Sequence, residues 1–382
     1  MDYASFLIRK TRLERDWSQE GLCKGICTPS YLSKIEQGKA APSDEIIQLL
    51  FDRLGLCWNS AVNGCSGETI ETAYDLLFSM ELDPLSALME QPEWSRYETS
   101  PWGLDMLLIS RIMRSVTPLE QDLELLMNPK QLALQRILQD RCEEAIQLYP
   151  CGYIYMCAGV ACYERGDSPQ AVEFLQQAAS RAADEGRPWV MLHTRMILGG
   201  CYSIQLDVQS MERHYNIARR LARVLGSEED LEVINYNRAA TCMELGQYKE
   251  AMRYFETKRN SDSHLTLHKL AICCEKLSRI DDALEALDRA DTLPDSSPEQ
   301  VYHEMCHTVR LRLTTPSYLD SEAYGASLQK TFALCRKHRS VGYCLFHLPW
   351  MVEWYEHHRQ YKQVASLLRE FPGCMNLSAL SK

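Results

Sequence analysis

A small residue recurs at a fixed place in a helical pattern that fills most of this 382-residue chain. From an anchor at Gly159, Ala171 and Ala178 follow 12 and 19 positions later. The same register gives Met211 and Ala218 from Gly199, Ala251 and Lys258 from Ala239, and Ala283 and Ala290 from Ala271. The anchors stand 40, 40 and 32 residues apart, within the range of stacked helix hairpins. Turn residues fall between them, at Gly166-Asp167, Leu206-Asp207, Gly246-Gln247 and Ser278-Arg279. A weaker copy runs through Ala133 and Ala145, and a degenerate one through Val352 and Val364. Two helices cross closely only where the side chains at the crossing are small, so the large Leu175, Tyr215, Phe255 and Leu287 are expected to fill the space beside each crossing. With few strand signals, the chain is expected to be all-α and most of it an α-solenoid.

The register resembles that of tetratricopeptide repeats, somewhat stretched, over about residues 120–310. The resemblance implies a right-handed superhelix whose concave face is built by the first helix of each hairpin. Counted from the anchors, that face carries Tyr153, Met156, Val160 and Tyr163, then His193, Met196, Gly200 and Ser203. Val233, Tyr236, Ala240 and Met243 follow, and then Leu265, His268, Ile272 and Glu275. An aromatic, methionine-rich and sparsely polar face suits an extended peptide held in apolar pockets. Asn235 and Asn237 lie beside it, and a side-chain amide both donates to and accepts from a peptide backbone. Candidate peptide contacts are therefore Tyr153, Met156, Tyr163, His193, Asn235, Tyr236, Asn237 and His268. The competing reading, packing against the next hairpin, is preferred for Met196 and Ile272.

Residues 18–43 carry a different signal. Ser18 is a good N-cap, followed by Gln19 and Glu20 in a first turn and by the apolar Leu22 and Ile26. Gly25 supplies a break, Thr28 caps again, and Pro29 stands at the first helical position, where its missing N–H costs nothing. Tyr31, Leu32 and Ile35 recur at helical spacing before Gly38, and Ser43 caps a further helix that ends before Gly55. Ahead of them a helix is expected over about Tyr3 to Arg15, with Phe6, Ile8 and Leu13 among its buried candidates. A short helix, a tight turn and a second helix opening on small polar residues and a lysine are the layout of a DNA-reading helix-turn-helix.

Charge divides the chain unevenly. Residues 1–56 hold eight Lys/Arg and eight Asp/Glu, so the remainder carries all of the net charge of −11. An acidic body makes non-specific DNA binding weak, leaving affinity to a few placed contacts and to dimerisation. No apolar run nears 18 residues and no N-terminal signal pattern occurs, so a soluble, cytoplasmic protein without membrane contact is expected. The 16 cysteines include no Cys-x-x-Cys pair and no zinc spacing. Most, such as Cys157, Cys162, Cys242 and Cys274, fall on apolar helix faces as reduced core thiols. No nucleophile–base spacing or phosphate-cradling glycine loop stands out, so neither enzyme activity nor a metal or other cofactor is expected. Past Gly55, the polar stretch Asn59 to Gly67, a helical segment over Glu68 to Glu90, and the breaks at Pro92 and Pro101 read as a connector. The expected division is 1–56 helix-turn-helix, 57–100 helical connector and 101–382 solenoid.

Residues 1–56 resemble the repressor/Cro (XRE) type of helix-turn-helix, which implies a five-helix domain. The run Lys-Gly-Ile-Cys-Thr-Pro-Ser-Tyr-Leu-Ser-Lys-Ile-Glu-Gln-Gly is one residue shorter between Leu22 and Thr28 than in most members. It is similar to the Gly-Ile-Cys turn of the RRNPP regulators, cytosolic receptors for short signalling peptides in Gram-positive bacteria. Those proteins join such a domain to a C-terminal tetratricopeptide solenoid, the order read here. The resemblance implies a homodimeric transcription factor whose solenoid binds a peptide and alters DNA binding or assembly. It also implies that Arg12 and Glu36 form an internal ion pair locking the first helix to the recognition helix. Gln19 is then a phosphate donor, with Thr28, Ser30, Tyr31, Ser33 and Lys34 at the leading end of the recognition helix. Ser30, Ser33 and Lys34 are not needed by the apolar face and point to groove contact, while Tyr31 either reads DNA or packs. Lys39 either contacts a phosphate or is simply solvated. A reading of another class is a scaffold whose solenoid grips a protein partner while the first domain tethers it to DNA. The aromatic stretch Ser340 to Phe371 either caps the solenoid or forms a dimer contact.

Overall fold

The computed structural model describes residues 2–59, 65–294, 297, 300–338 and 341–371, and among these there are helices and turns but no strand. The start of the last aromatic stretch, at Ser340, and most of the polar stretch after Asn59 lie outside the described residues. The chain divides into two compact units, one of Met1–Ala158 with Gln176–Met191, the other of Gly159–Leu175 with Leu192–Lys382.

The first unit opens with α1 (Tyr3–Glu14), α2 (Gln19–Cys23), α3 (Pro29–Glu36) and α4 (Asp44–Arg53). Each begins on a side chain that accepts an otherwise orphaned backbone N–H: Asp2 from Ser5, Ser18 from Gly21, Thr28 from Tyr31 and Ser43 from Ile46. Ala4, Ile8, Leu22, Leu32, Ile35, Leu50, Phe51 and Leu54 share one buried core, which Trp58 joins from beyond the fourth helix. Phe6 is only half-buried, and Leu13, expected in that core, is 53% exposed. The buried line of α1 runs through Ala4, Ile8 and Arg12 at four-residue steps, which turns position 13 about 100° away. Four helices lie within 1–56, so the expected count of five is reached only with α5 (Gly67–Ser79).

The same unit continues through α6 (Leu82–Met89), α7 (Gly103–Arg114), α8 (Pro129–Leu138) and α9 (Cys142–Leu148). These helices clasp the first domain. A Cβ at Gly103 would strike the Tyr3 ring, so glycine lets α7 come against α1. Lys10 pairs with Glu120 at 3.0 Å, and the Asn59 amide donates to the Arg96 carbonyl at 2.9 Å. Inside, Asp105 accepts from the Tyr74 hydroxyl at 2.5 Å and from the Gln131 amide at 2.7 Å.

The repeat helices follow as α10 (Gly152–Arg165) and α11 (Ser168–Asp184), α12 (Pro188–Ile204) and α13 (Val208–Leu225), and α14 (Glu228–Glu244) and α15 (Tyr248–Thr257). Next come α16 (His264–Lys276), α17 (Ile280–Asp291), α18 (Val301–Thr314), α19 (Glu322–His338), α20 (Val341–His357) and α21 (Tyr361–Glu370). In the second unit each helix from α13 on packs against the next, and α16 also touches α14 and α18. The anchors behave as their size requires: a Cβ at Gly159 would strike Leu175, and one at Gly199 would strike the Tyr215 ring. Ala171, Ala218, Ala251, Ala271, Ala283 and Ala290 are fully buried, beside Phe255 and Leu287. The weaker copy is equally enclosed at Ala133 and Ala145. First helices are enclosed on several sides, whereas second helices bury one stripe. Ten of the 13 residues of α16 are buried, against Ala283, Ala286, Leu287 and Ala290 alone on α17. At the C-terminal end α20 and α21 pack as a hairpin, and Trp354 fills the space that a Cβ at Gly325 would need.

Candidate functional site

The turn of the first domain is made by Gly25 at φ +77°, where an L side chain would be strained, with the Ile26 and Cys27 N–H groups both donating to the Cys23 carbonyl. Arg53 closes the end of α2 by donating to the carbonyls of Leu22, at 3.1 Å, and Lys24. Behind the turn, Glu36 accepts from Arg12 Nε at 2.6 Å and Nη2 at 2.8 Å, and from the Gln19 amide at 2.8 Å. The third Arg12 nitrogen donates to the Trp17 carbonyl at 2.8 Å. Arg12 and Glu36 are both buried, and hydrogen bonding to Glu36 raises the guanidinium above its ordinary value against the opposing effect of burial. The ion pair thus forms as the resemblance implied, and Gln19 is drawn into it with one amide hydrogen already committed.

The expected DNA contacts divide by exposure, with Thr28, Ser30, Lys34 and Lys39 exposed and Gln19, Tyr31 and Ser33 half-buried. Ser30 and Lys34 project from α3 into solvent, and the Thr28 hydroxyl spends an acceptor on the Tyr31 N–H at 3.2 Å. Ser33 is half-buried and accepts from the Gln37 side-chain amide nitrogen at 3.0 Å, and Lys39 donates to the Gln37 side-chain oxygen Oε1 at 2.8 Å. Tyr31 packs on the domain core, its hydroxyl 3.5 Å from the Ala41 carbonyl. Gln37, which no sequence argument singled out, therefore links the helix face to the following loop. Its signal was its place one turn beyond Ser33.

The expected peptide contacts divide by burial. In the first unit Tyr153 and Met156 are buried, and the Tyr153 ring stands edge-on to Phe78 at 5.6 Å. In the second unit His268 is also buried, whereas Tyr163, His193, Asn235, Tyr236 and Asn237 are part exposed. His193 lies 4.0 Å from Asp230, and burial lowers its imidazole against that carboxylate's pull. Tyr236 meets the Phe255 ring edge-on at 5.8 Å. The part-exposed five are the ones a ligand reaches without rearranging the core.

One chemistry-bearing pattern escaped the sequence reading: His303-Glu304-Met305-Cys306-His307 sets two histidines one turn apart on α18. They line a cavity of about 310 Å³ with Asp291, Gln300 and Lys330. Glu304 is committed, accepting from Ser327 at 2.7 Å and pairing with Lys330 at 2.6 Å. Among the described residues no three His, Cys, Asp or Glu side chains gather as a metal site. The described cysteines are free thiols, and among the described residues no helix is long and apolar enough to cross a membrane.

The Helix-turn-helix family matches residues 8–57. No curated protein sequence matches the chain significantly. Among solved structures, a Rap protein complexed with Competence and Sporulation Factor is 16% identical over 82% of this chain and 97% of its own, with a TM-score of 0.59. The Rap conjugation gene regulator of the plasmid pLS20, in complex with the Phr* peptide, is 14% identical over 100% of this chain and 97% of its own, with a TM-score of 0.53. The chain therefore joins a helix-turn-helix domain to a helical-repeat fold like that of these Rap proteins.

Proposed function

We propose that this protein is a cytoplasmic, homodimeric transcriptional regulator that reads DNA through its first domain and is controlled by a short peptide bound in its helical repeats. The observation that carries this reading is the conjunction of a helix-turn-helix with a fold that, in two Rap proteins, is seen holding a peptide or factor. Ser30, Ser33 and Lys34 reach base edges or groove phosphates, Gln19 and Lys39 contact backbone phosphate, and Thr28 and Tyr31 set the depth of α3. Tyr163, His193, Asn235, Tyr236 and Asn237 take the peptide, with the buried His268 of the same unit supporting the wall behind them. Residues 1–56 act as the reading domain, 57–100 as its mount and 101–382 as the sensing and dimerising part.

Control then works as a population shift: a peptide that binds one repeat arrangement better than another changes how two reading domains meet half-sites about one DNA turn apart. The test is titration of the full-length protein with synthetic heptapeptides by thermal shift, beside DNA affinity on an operator selected from random duplexes. A peptide that raises the melting temperature and alters DNA affinity supports the reading. If no peptide moves either, sensing fails while DNA reading stands.

A further inference from the structure

Three polar side chains sit in the second unit where nearly everything around them is apolar. Lys269, on the enclosed helix α16, is only 7% exposed, and its ammonium lies 2.7 Å from the centroid of the Phe346 ring on α20. Among the described residues no hydrogen bond acts on its charge, which Glu244 reaches only through space. Its neighbour His268 is 1% exposed, and neither ring nitrogen has a hydrogen-bond partner among the described residues. His268 stands 5.6 Å from His347, centroid to centroid. The His347 Nδ1 lies 2.8 Å from the Tyr343 carbonyl, while its Nε2 has no partner.

An ammonium held this way is costly. A ring face attracts a cation on one side only and does not replace a hydration shell. Buried polar groups left without partners are uncommon in native structures and call for an explanation, such as a missing water, ion or ligand. The second unit supplies an opposite charge, Glu244 at the end of α14, but holds it off: it acts on Lys269 through space without bonding to it. Glu244 and Phe346 are themselves part exposed, and Tyr236 lies within electrostatic reach of Tyr343 and Glu244.

We propose that Lys269 anchors a carboxylate of the bound peptide, with Phe346 as the wall of the subsite and Glu244 kept at a distance from the ammonium. The proposal rests on the peptide-sensing reading and narrows it to peptides that present a carboxylate, at the C-terminus or on an Asp or Glu side chain. Burial lowers the Lys269 ammonium, against the pull of Glu244 on α14, Cys273 on α16 and Cys335 on α19. Burial raises the Glu244 carboxyl in turn. His268 and His347 also face this space, both kept neutral by burial. A carboxylate bonded to Lys269 restores its full charge, so binding takes up protons near neutral pH.

The test uses the full-length protein and heptapeptide pools made in three forms: free C-terminus without Asp or Glu, amidated C-terminus with them, and amidated without them. Recovery from the first pool assigns the C-terminal carboxylate, and recovery from the second assigns an acidic side chain; the third is expected to yield nothing. Lys269→Met is expected to bind the selected peptide at least about thirtyfold more weakly, as loss of one partner of a buried charge pair does. Lys269→Arg retains part of the affinity. Lys269→Met should melt at or above the parent, because it removes an unpaired charge, whereas loss of a structural ion pair would lower it. Calorimetry on the unaltered protein in two buffers of different ionisation heat should show proton uptake. Equal recovery from the third pool, unchanged binding by Lys269→Met, or absence of proton uptake would overturn the subsite and leave peptide sensing intact. Failure of all three pools to bind the parent protein would remove the peptide reading itself.

Discussion

Glu36 receives three donors at once, two from Arg12 and one from Gln19, inside a domain of only about fifty residues. Removing it leaves a buried guanidinium without its counter-charge, so Glu36→Ala should cost about 3–5 kcal/mol, measured by urea unfolding of the first domain's signal. An unchanged midpoint would mean that the pair is solvated in solution. Lys34 makes no such internal bond and projects from α3, so Lys34→Ala should leave stability alone. It should weaken binding to all DNA sequences about equally and lower the salt slope of binding by about 0.9. A loss confined to one operator position would instead make Lys34 a base reader. At this scale the sequence was informative where chemistry is local: Ser18, Thr28 and Ser43 cap the helices that they were expected to cap. It failed where a residue's partner is far along the chain. Nothing near Lys269 in sequence indicates that α16 is enclosed, and nothing near Arg53 indicates that its guanidinium closes α2, some thirty residues earlier.

The repeat was legible because each crossing leaves a matched signature, a small residue on one helix and a large one on its partner. Gly199 and Tyr215 are the tightest test. Gly199→Ala drives a methyl into the Tyr215 ring and should destabilise the second unit by about 1–3 kcal/mol in thermal or urea unfolding. Tyr215→Leu should recover part of that loss in the double variant, since the two sites share one contact. Additive losses would show that the crossing is not the cause. Contacts outside the repeat were not legible. Gly103 admits the Tyr3 ring, and Asp105 is the buried acceptor of Tyr74 and Gln131, and neither residue stands out in the sequence. Such pairings join segments with no shared period, so no pattern announces them. The inner-face count had a related weakness. It placed Tyr153, Met156 and His268 on an open face, but position on a helix does not tell how closely the next helix approaches.

Acid sensitivity belongs to the molecule as a whole. His214 and His347 are held down to about 4, mainly by burial, and His193 and His268 are lowered for the same first reason. These four lie in the second unit. Unfolded, each binds a proton near 6.5, whereas folded it stays neutral, so between about 6.5 and 4 the unfolded chain binds more protons. Stability of that unit should therefore be intact at pH 7 and fall as pH drops through this window, read from urea midpoints at pH 7 and pH 5. A midpoint that rises toward pH 5 would contradict the burial of these rings.

The central claim is that one chain couples a peptide to DNA. Its most direct test is the affinity of the full-length protein for an operator selected from random duplexes, measured with and without a saturating peptide selected on the same protein. Affinity is expected to change at least about tenfold, a coupling of about 1.4 kcal/mol or more, or the number of protomers on the operator is expected to change. A peptide that binds tightly yet leaves both DNA affinity and assembly unchanged would contradict the claim.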